Sequence, residues 1–133
     1  MANSLYDSGR TLMLSSFDWV AQAVDAYLVD TTIYHVDTAA HSVMTSVTSG
    51  VVAGPIALAS KAIVAGAADA ADVTFPSVVG AICQAIVLAK HTGSAATDTL
   101  LAYIDSSTGL PITPNGGDII VVWDNGVNRI FKP

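Results

Sequence analysis

Glutamate is absent from this sequence, and lysine and arginine together supply only 5 of its 133 residues. Charged residues make up 12% of the chain, whereas hydrophobic residues make up 52%. Exposed helices are normally built from Glu, Lys, Gln and Arg, so this composition favours strands and turns. So little charge also leaves a solitary monomer short of solubilising surface. Two interpretations stay open: a tightly packed β-domain, or a subunit that buries much of its surface in an assembly.

The low content of basic residues and of cysteine argues against several functional classes. The net charge is −6 without a basic cluster, so no nucleic acid is expected as a partner. Cys83 is the single cysteine, so an intrachain disulfide is excluded, and its apolar neighbours predict an inert, buried thiol. Residues 1–10 lack the pattern of a signal peptide, and the uncharged stretch 38–60 is too rich in Ser and Thr to span a membrane. We therefore expect a protein made in the cytoplasm, with no membrane partner.

The length predicts one domain, with an N-terminal helix or arm over residues 1–16 and a β-domain over residues 17–133. Asn3 or Ser4 can cap the helix, and Gly9 weakens it. Its apolar residues have loosely helical spacing: Leu5, Tyr6, Leu12, Met13 and Leu14. The pattern does not decide whether this segment packs on its own domain or reaches a neighbour.

Short apolar and β-branched runs, separated by turn residues, predict strands over residues 23–30, 55–64, 73–79, 81–90, 99–105 and 118–124. In the first of these, Val24, Ala26 and Leu28 share one face. The opposite face carries Asp25, Tyr27 and Val29. The run 81–90 also permits a helix. The layout predicts a mainly β fold, a β-sandwich or jelly-roll-like domain of seven to eight strands.

The last seventeen residues predict a closing hairpin. Asn125-Gly126 suits a two-residue type I′ turn, which would place Trp123 opposite Asn128 and Val121 opposite Ile130. Both faces of the strand over 118–124 are apolar, so we expect it to be covered on both sides. The rest of the domain can cover one side, and the helix or a neighbouring subunit can cover the other.

Signatures of catalysis are missing from the sequence. It has no G-x-S-x-G elbow, no reactive-cysteine motif and no phosphate-binding loop, so neither an enzyme nor a cofactor is predicted. His35, Asp37 and His41 have metal-like spacing, but a zinc site would need a further firm ligand and a shaped pocket, so no metal is predicted. Aromatic and arginine side chains often anchor interfaces. The candidate interface residues are therefore Leu5, Tyr6, Arg10, Leu12, Trp19 and Tyr34, although the aromatic ones can equally fill a core.

Several stretches carry a family resemblance. They are Ser4-Leu5-Tyr6-Asp7-x-Gly9-Arg10, Tyr27-Leu28-Val29-Asp30-Thr31, Ala102-Tyr103-Ile104-Asp105, residues 109–119 (GLPITPNGGDI) and residues 123–132 (WDNGVNRIFK). In these stretches the chain resembles small structural proteins of tailed phages and prophages, and it departs from their pattern at residues 17–23 and 60–71. The resemblance implies a capsid decoration, or cement, protein on the virion surface, bound to the major capsid protein and to copies of itself. A tail, neck or baseplate subunit and a small ligand-binding, fibre-associated β-domain are the alternatives.

Overall fold

The computed structural model describes residues 4–15, 17–105, 110–123 and 129–131. These residues form one α-helix, α1 (Asp7–Ser15), and two short 3-10 helices (Met44–Ser46 and Thr48–Gly50). They also form nine strands: β1 (Ser4–Leu5), β2 (Val24–Val29), β3 (Val51–Ala57), β4 (Ala62–Val64), β5 (Ala67–Asp69), β6 (Val73–Phe75), β7 (Ala85–Lys90), β8 (Thr99–Ile104) and β9 (Ile119–Val121).

The strands build one main sheet and two small ribbons. The main sheet has the order β1-β8-β7-β2-β3, and every neighbouring pair in it is antiparallel. The ribbons are the antiparallel pairs β4–β5 and β6–β9. The predicted mainly β, sandwich-like fold is confirmed.

Strand β2 lies inside the main sheet and is buried along its whole length. Val24, Ala26 and Leu28 pack in a first core with side chains of both ribbons, whereas Tyr27 and Val29 pack in a second core on the opposite face. The segment between β2 and β3 closes this second core with Tyr34, Met44 and Val47. The predicted division of β2 into two faces is confirmed, and both faces are covered by the chain itself.

The N-terminal segment packs on its own domain. Ser4 and Leu5 form an edge strand opposite Tyr103 and Ala102 of β8, so the predicted helix begins later, at Asp7. Gly9 lets α1 approach β8 closely, because a Cβ atom at this position would lie 2.7 Å from the carbonyl oxygen of Leu101. The glycine that weakens the helix by propensity is therefore required by packing.

Several of the predicted strands have different limits: the run 73–79 is a strand only over Val73–Phe75, and the run 118–124 only over Ile119–Val121. The run 55–64 is divided between β3 and β4, and the predicted connector over 67–72 contains β5. Ala65 and Gly66 join β4 to β5 with φ values of 50° and 82°, as a type I′ hairpin turn requires. Alanine seldom adopts positive φ, so the sequence carried no usual signal for this turn. The run 81–90 is a strand from Ala85 onwards, and its helical alternative is wrong.

The predicted closing hairpin is wrong in its pairing. Val121 lies opposite Val73 of β6 instead of Ile130. Ile130 donates its backbone N–H to the carbonyl of Ala68, and Phe131 forms a bridge with the same residue. Pairing with β6 brings Ile119 into the first core beside Phe75, a burial that a local hairpin would not supply. The predicted Asn125-Gly126 turn and the partner Asn128 lie outside the described residues.

Candidate interaction surfaces

A long antiparallel ribbon extends the β6–β9 pair. Beyond Phe75 and Ile119, the N–H of Val78 donates to the carbonyl of Gly117 at 3.0 Å, and Cys83 forms a bridge with Ile112. We call residues 73–83 and 112–122 the outer ribbon. Its inner face packs on the first core through Val73, Phe75, Val78 and Ile119.

The outward face of the outer ribbon is apolar and open. Ile119 and Trp123 are buried, whereas the alternate residues Ile120 and Val122 are each 63% exposed. The prediction that this strand is covered on both sides is therefore wrong within a single copy of the chain. The helix α1 was one possible cover for this face, but it packs on β8 instead.

Exposed apolar side chains are concentrated on the outer ribbon. Val79 is 69% exposed and Ile82 is 46% exposed, so this ribbon holds four of the nine large hydrophobic residues that are exposed in the described part of the chain. Asp118 adds a charge, but its carboxylate accepts the backbone N–H of Ser77 at 3.0 Å. Concentrated exposed hydrophobic surface marks interaction sites more often than scattered single residues do.

A second surface is an aromatic groove of about 490 Å³ beside the C-terminal end of α1. Trp19 forms its floor, with its indole N–H donating to the carbonyl of Asp69 at 3.0 Å. Phe131 and Phe17 meet Trp19 edge to face, at ring-centroid distances of 5.4 and 6.5 Å. The remaining lining residues are Met13, Ser15, Asp18, Ile63, Gly66 and Ala68. Because the three rings are steeply inclined, they form an irregular apolar cleft and no common flat platform.

Four of the six candidate interface residues lie in the core. Leu5, Tyr6, Trp19 and Tyr34 are buried by the chain itself, and only Trp19 reaches a surface feature, the floor of the aromatic groove. Their apolar character is explained by packing, so they do not present an exposed surface to a partner in this fold.

The other two candidates keep accessible surface. Arg10 is exposed and forms an ion pair with Asp7 at 3.0 Å, a pairing that contributes little to stability at a surface. Leu12 is partly buried and packs against the first core. Ile120 and Val122 were not among the candidate interface residues, although both belong to the apolar run 118–124, for which a neighbouring subunit was one possible cover.

Two of the three residues with metal-like spacing, Asp37 and His41, form hydrogen bonds of their own, and His35 is exposed. The carboxylate of Asp37 accepts the backbone N–H groups of Ala39 and Ala40, which makes it a turn cap. His41 is occupied through Nδ1 by the backbone N–H of Asp37 and by the hydroxyl of Tyr34. Over residues 4–15, 17–105, 110–123 and 129–131, no group of three or more His, Cys, Asp or Glu side chains is placed to hold a metal ion.

Cys83 and Asp25 are two buried titratable residues of this fold. Burial raises the pKa of the Cys83 thiol to about 11, and the nearby charge of Asp30 acts in the same direction. A thiol with a raised pKa is a weak nucleophile at neutral pH. Asp25 is buried, and its carboxylate lies 2.8 Å from Nδ1 of His91. Among the hydrogen bonds of the described residues, none joins a Ser or Cys nucleophile to the Asp25–His91 pair.

Comparison with known proteins finds no match for this chain, either in a scan against protein-family models or in a search of curated proteins. Within the described part of the chain, no helix has the length and apolar character needed to cross a membrane.

Proposed function

We propose that this chain is a non-enzymatic structural subunit of a tailed-phage virion. In this proposal it is a capsid decoration, or cement, protein that binds the outer surface of the head and stabilises it. Its partners are the major capsid protein and further copies of itself. The proposal rests on the resemblance carried by the quoted sequence stretches and on the surface described above.

The observation that carries the proposal is the open apolar face of the outer ribbon. The main sheet is covered on both faces by the chain itself, and the inner face of this ribbon completes the first core, so its outward face has no part in either core. Ile120 and Val122 nevertheless present hydrophobic side chains to the solvent in a chain with only 12% charged residues. A second copy of the chain would remove that surface from water, and closed symmetric assembly is the usual form of such contacts.

A cement protein benefits from modest contacts that are repeated. Each subunit of an oligomer needs only weak affinity for the capsid, because linked binding events multiply one another when the geometry allows them to form together. Self-association through the outer ribbon leaves the aromatic groove and the exposed part of α1 available for the capsid protein.

The test is the number of copies in purified particles. A decoration protein is expected at hundreds of copies per particle, in a fixed ratio to the major capsid protein, and on the outer shell in a cryo-EM map. A ratio corresponding to a few copies or some dozens would instead support the second candidate, a tail, neck or baseplate subunit. Absence from the particle would contradict both.

A third candidate, a fibre-associated ligand-binding domain, is favoured by the aromatic groove alone. Sugar binding commonly uses an accessible aromatic face, whereas the floor residue Trp19 is buried and meets its neighbouring rings edge to face. A glycan array probed with the isolated protein distinguishes this candidate. Retention of a defined glycan, lost in Phe131→Ala and kept in Ile120→Thr, would favour it over the decoration role.

A further inference from the structure

Three side chains form a directional hydrogen-bond chain beside the second core. The backbone N–H of Asp37 donates to Nδ1 of His41 at 3.2 Å, and the Tyr34 hydroxyl lies 3.0 Å from the same nitrogen. Because a backbone N–H can only donate, this nitrogen carries no proton, and the Tyr34 hydroxyl must donate to it as well. The Tyr34 oxygen then accepts the hydroxyl proton of Tyr6, at 2.5 Å.

We propose that the chain Tyr6–Tyr34–His41, the tyrosine clamp, is an acid-sensitive contact that ties the N-terminal segment to the segment between β2 and β3. It is closed while the His41 ring is neutral and opens when that ring is protonated.

Protonation reverses the polarity that the clamp needs. A proton on Nδ1 turns the only acceptor of Asp37 N–H into a second donor, so these two groups repel each other. The Tyr34 oxygen can then accept from His41 while it still accepts from Tyr6, but the hydroxyl proton of Tyr34 loses the acceptor that Nδ1 supplied. Tyr34 is buried, and an unsatisfied buried donor is costly, so the protonated arrangement is disfavoured in the packed structure.

The clamp joins the N-terminal segment to the segment between β2 and β3. Tyr6 lies between β1 and α1, and its backbone N–H donates to the carbonyl of Leu101 at 3.1 Å. The next residue, Asp7, donates its N–H to the carbonyl of Thr38 at 2.8 Å, which is the second link between the N-terminal segment and the loop that carries His41. Opening the clamp is therefore expected to loosen α1 and residues 34–41 together.

Titratable and charged groups surround the clamp on each side. Burial is the main cause that raises the pKa of Tyr6 and of Tyr34, so both stay protonated and can act as donors. The groups facing the clamp are Asp37 from the same loop, Tyr103 of β8 with its neighbour Asp105, and Asp7 with its partner Arg10 from α1.

The test compares thermal unfolding of the intact protein at pH 7.5 and pH 5.5. His41→Asn places an amide oxygen near the position of Nδ1, which keeps an acceptor for Asp37 N–H but cannot take up a proton in this range. We expect the fall in Tm on acidification to be smaller by about 4 °C or more in His41→Asn than in the wild type. His35→Asn is the matched control, because His35 is exposed on the same loop, and its fall should equal that of the wild type.

A measurement on the wild type keeps the proposal testable if His41→Asn does not fold. In an NMR titration, the amide signals of Asp7 and Gly9 should shift with the same midpoint as the His41 ring, and not with that of His91. Equal acid sensitivity of the wild type and His41→Asn would overturn the proposal. So would amide signals in α1 that do not respond while His41 titrates.

Discussion

Replacing two outward side chains of the outer ribbon should weaken the proposed self-association without harming the fold. Ile120 and Val122 are each 63% exposed in a single copy, so most of their apolar surface is still available to be buried by a partner. The change proposed is Ile120→Thr together with Val122→Thr. Threonine keeps the β-branched shape that suits a strand, and it exchanges apolar carbon for a hydroxyl group.

The expected size follows from the carbon atoms removed. The two changes remove about three methyl or methylene groups per subunit, each worth about 0.8 kcal/mol when fully buried. Scaled by the exposed fraction, the loss is about 1.5 kcal/mol per subunit and about 3 kcal/mol for a two-fold contact. This energy corresponds to an increase of about a hundredfold in the dissociation constant. The free energy of unfolding of the monomer should change by no more than about 0.5 kcal/mol, because the side chains lie outside its core.

Sedimentation equilibrium over a concentration series measures the association, and circular dichroism checks the fold. Ile33→Thr is the matched control, since Ile33 is an exposed isoleucine in the loop after β2, outside the outer ribbon. Its dissociation constant should equal that of the wild type. The reasoning is refuted if the double variant associates as tightly as the wild type, or if the wild type itself stays monomeric at high micromolar concentration.

Three further predictions concern the stability of the single copy. Gly9→Ala should lower the free energy of unfolding by about 1–3 kcal/mol in a urea titration, because the added methyl group would lie 2.7 Å from the carbonyl oxygen of Leu101. Thr11→Ala, on the exposed face of α1, is the control and should not be destabilising. Burial, followed by the charge of Asp105, raises the pKa of Tyr103 from 10.0 to about 12, so the unfolded chain loses this proton first and stability should fall between pH 10 and pH 12. Tyr103→Phe should make this fall shallower, and an unchanged slope would contradict the assignment. Asp98→Ala should lower the free energy of unfolding in the same urea titration by about 1–3 kcal/mol, because the buried carboxylate accepts both the N–H and the hydroxyl of Thr92. Asp98→Asn keeps an acceptor and should recover part of this free energy.

Local patterns predicted the strands best where a strand is buried on both faces. Residues 23–30 alternate between two sets of side chains, and the structure places these sets in two different cores. Prediction failed where an unusual backbone conformation was needed, as at Ala65, whose positive φ turns the chain from β4 to β5. It also failed at Gly9, since a close approach to β8 cannot be inferred from helix propensity.

The candidate interface was harder to predict than the fold. Tyr6 and Tyr34 have the composition of interface anchors, yet they meet each other in the second core from positions 28 residues apart. Conversely, Ile120 and Val122 have the composition of a covered strand, yet they are exposed in a single copy. Hydrophobicity alone does not distinguish a side chain that its own chain covers from one that stays exposed in a single copy.

The class of the fold and the inward and outward alternation of its strands could be predicted from the amino-acid sequence, because both follow from composition and from the two-residue period of an extended chain. The strand that lies beside β9 could not be predicted in this way, because it depends on tertiary packing. Val121 pairs with Val73 instead of its neighbour in sequence, because this long-range pairing buries Ile119 and Phe75 in the first core. The same choice leaves Ile120 and Val122 facing outward. Strand pairing depends on burial summed over distant segments, and no local pattern contains that sum.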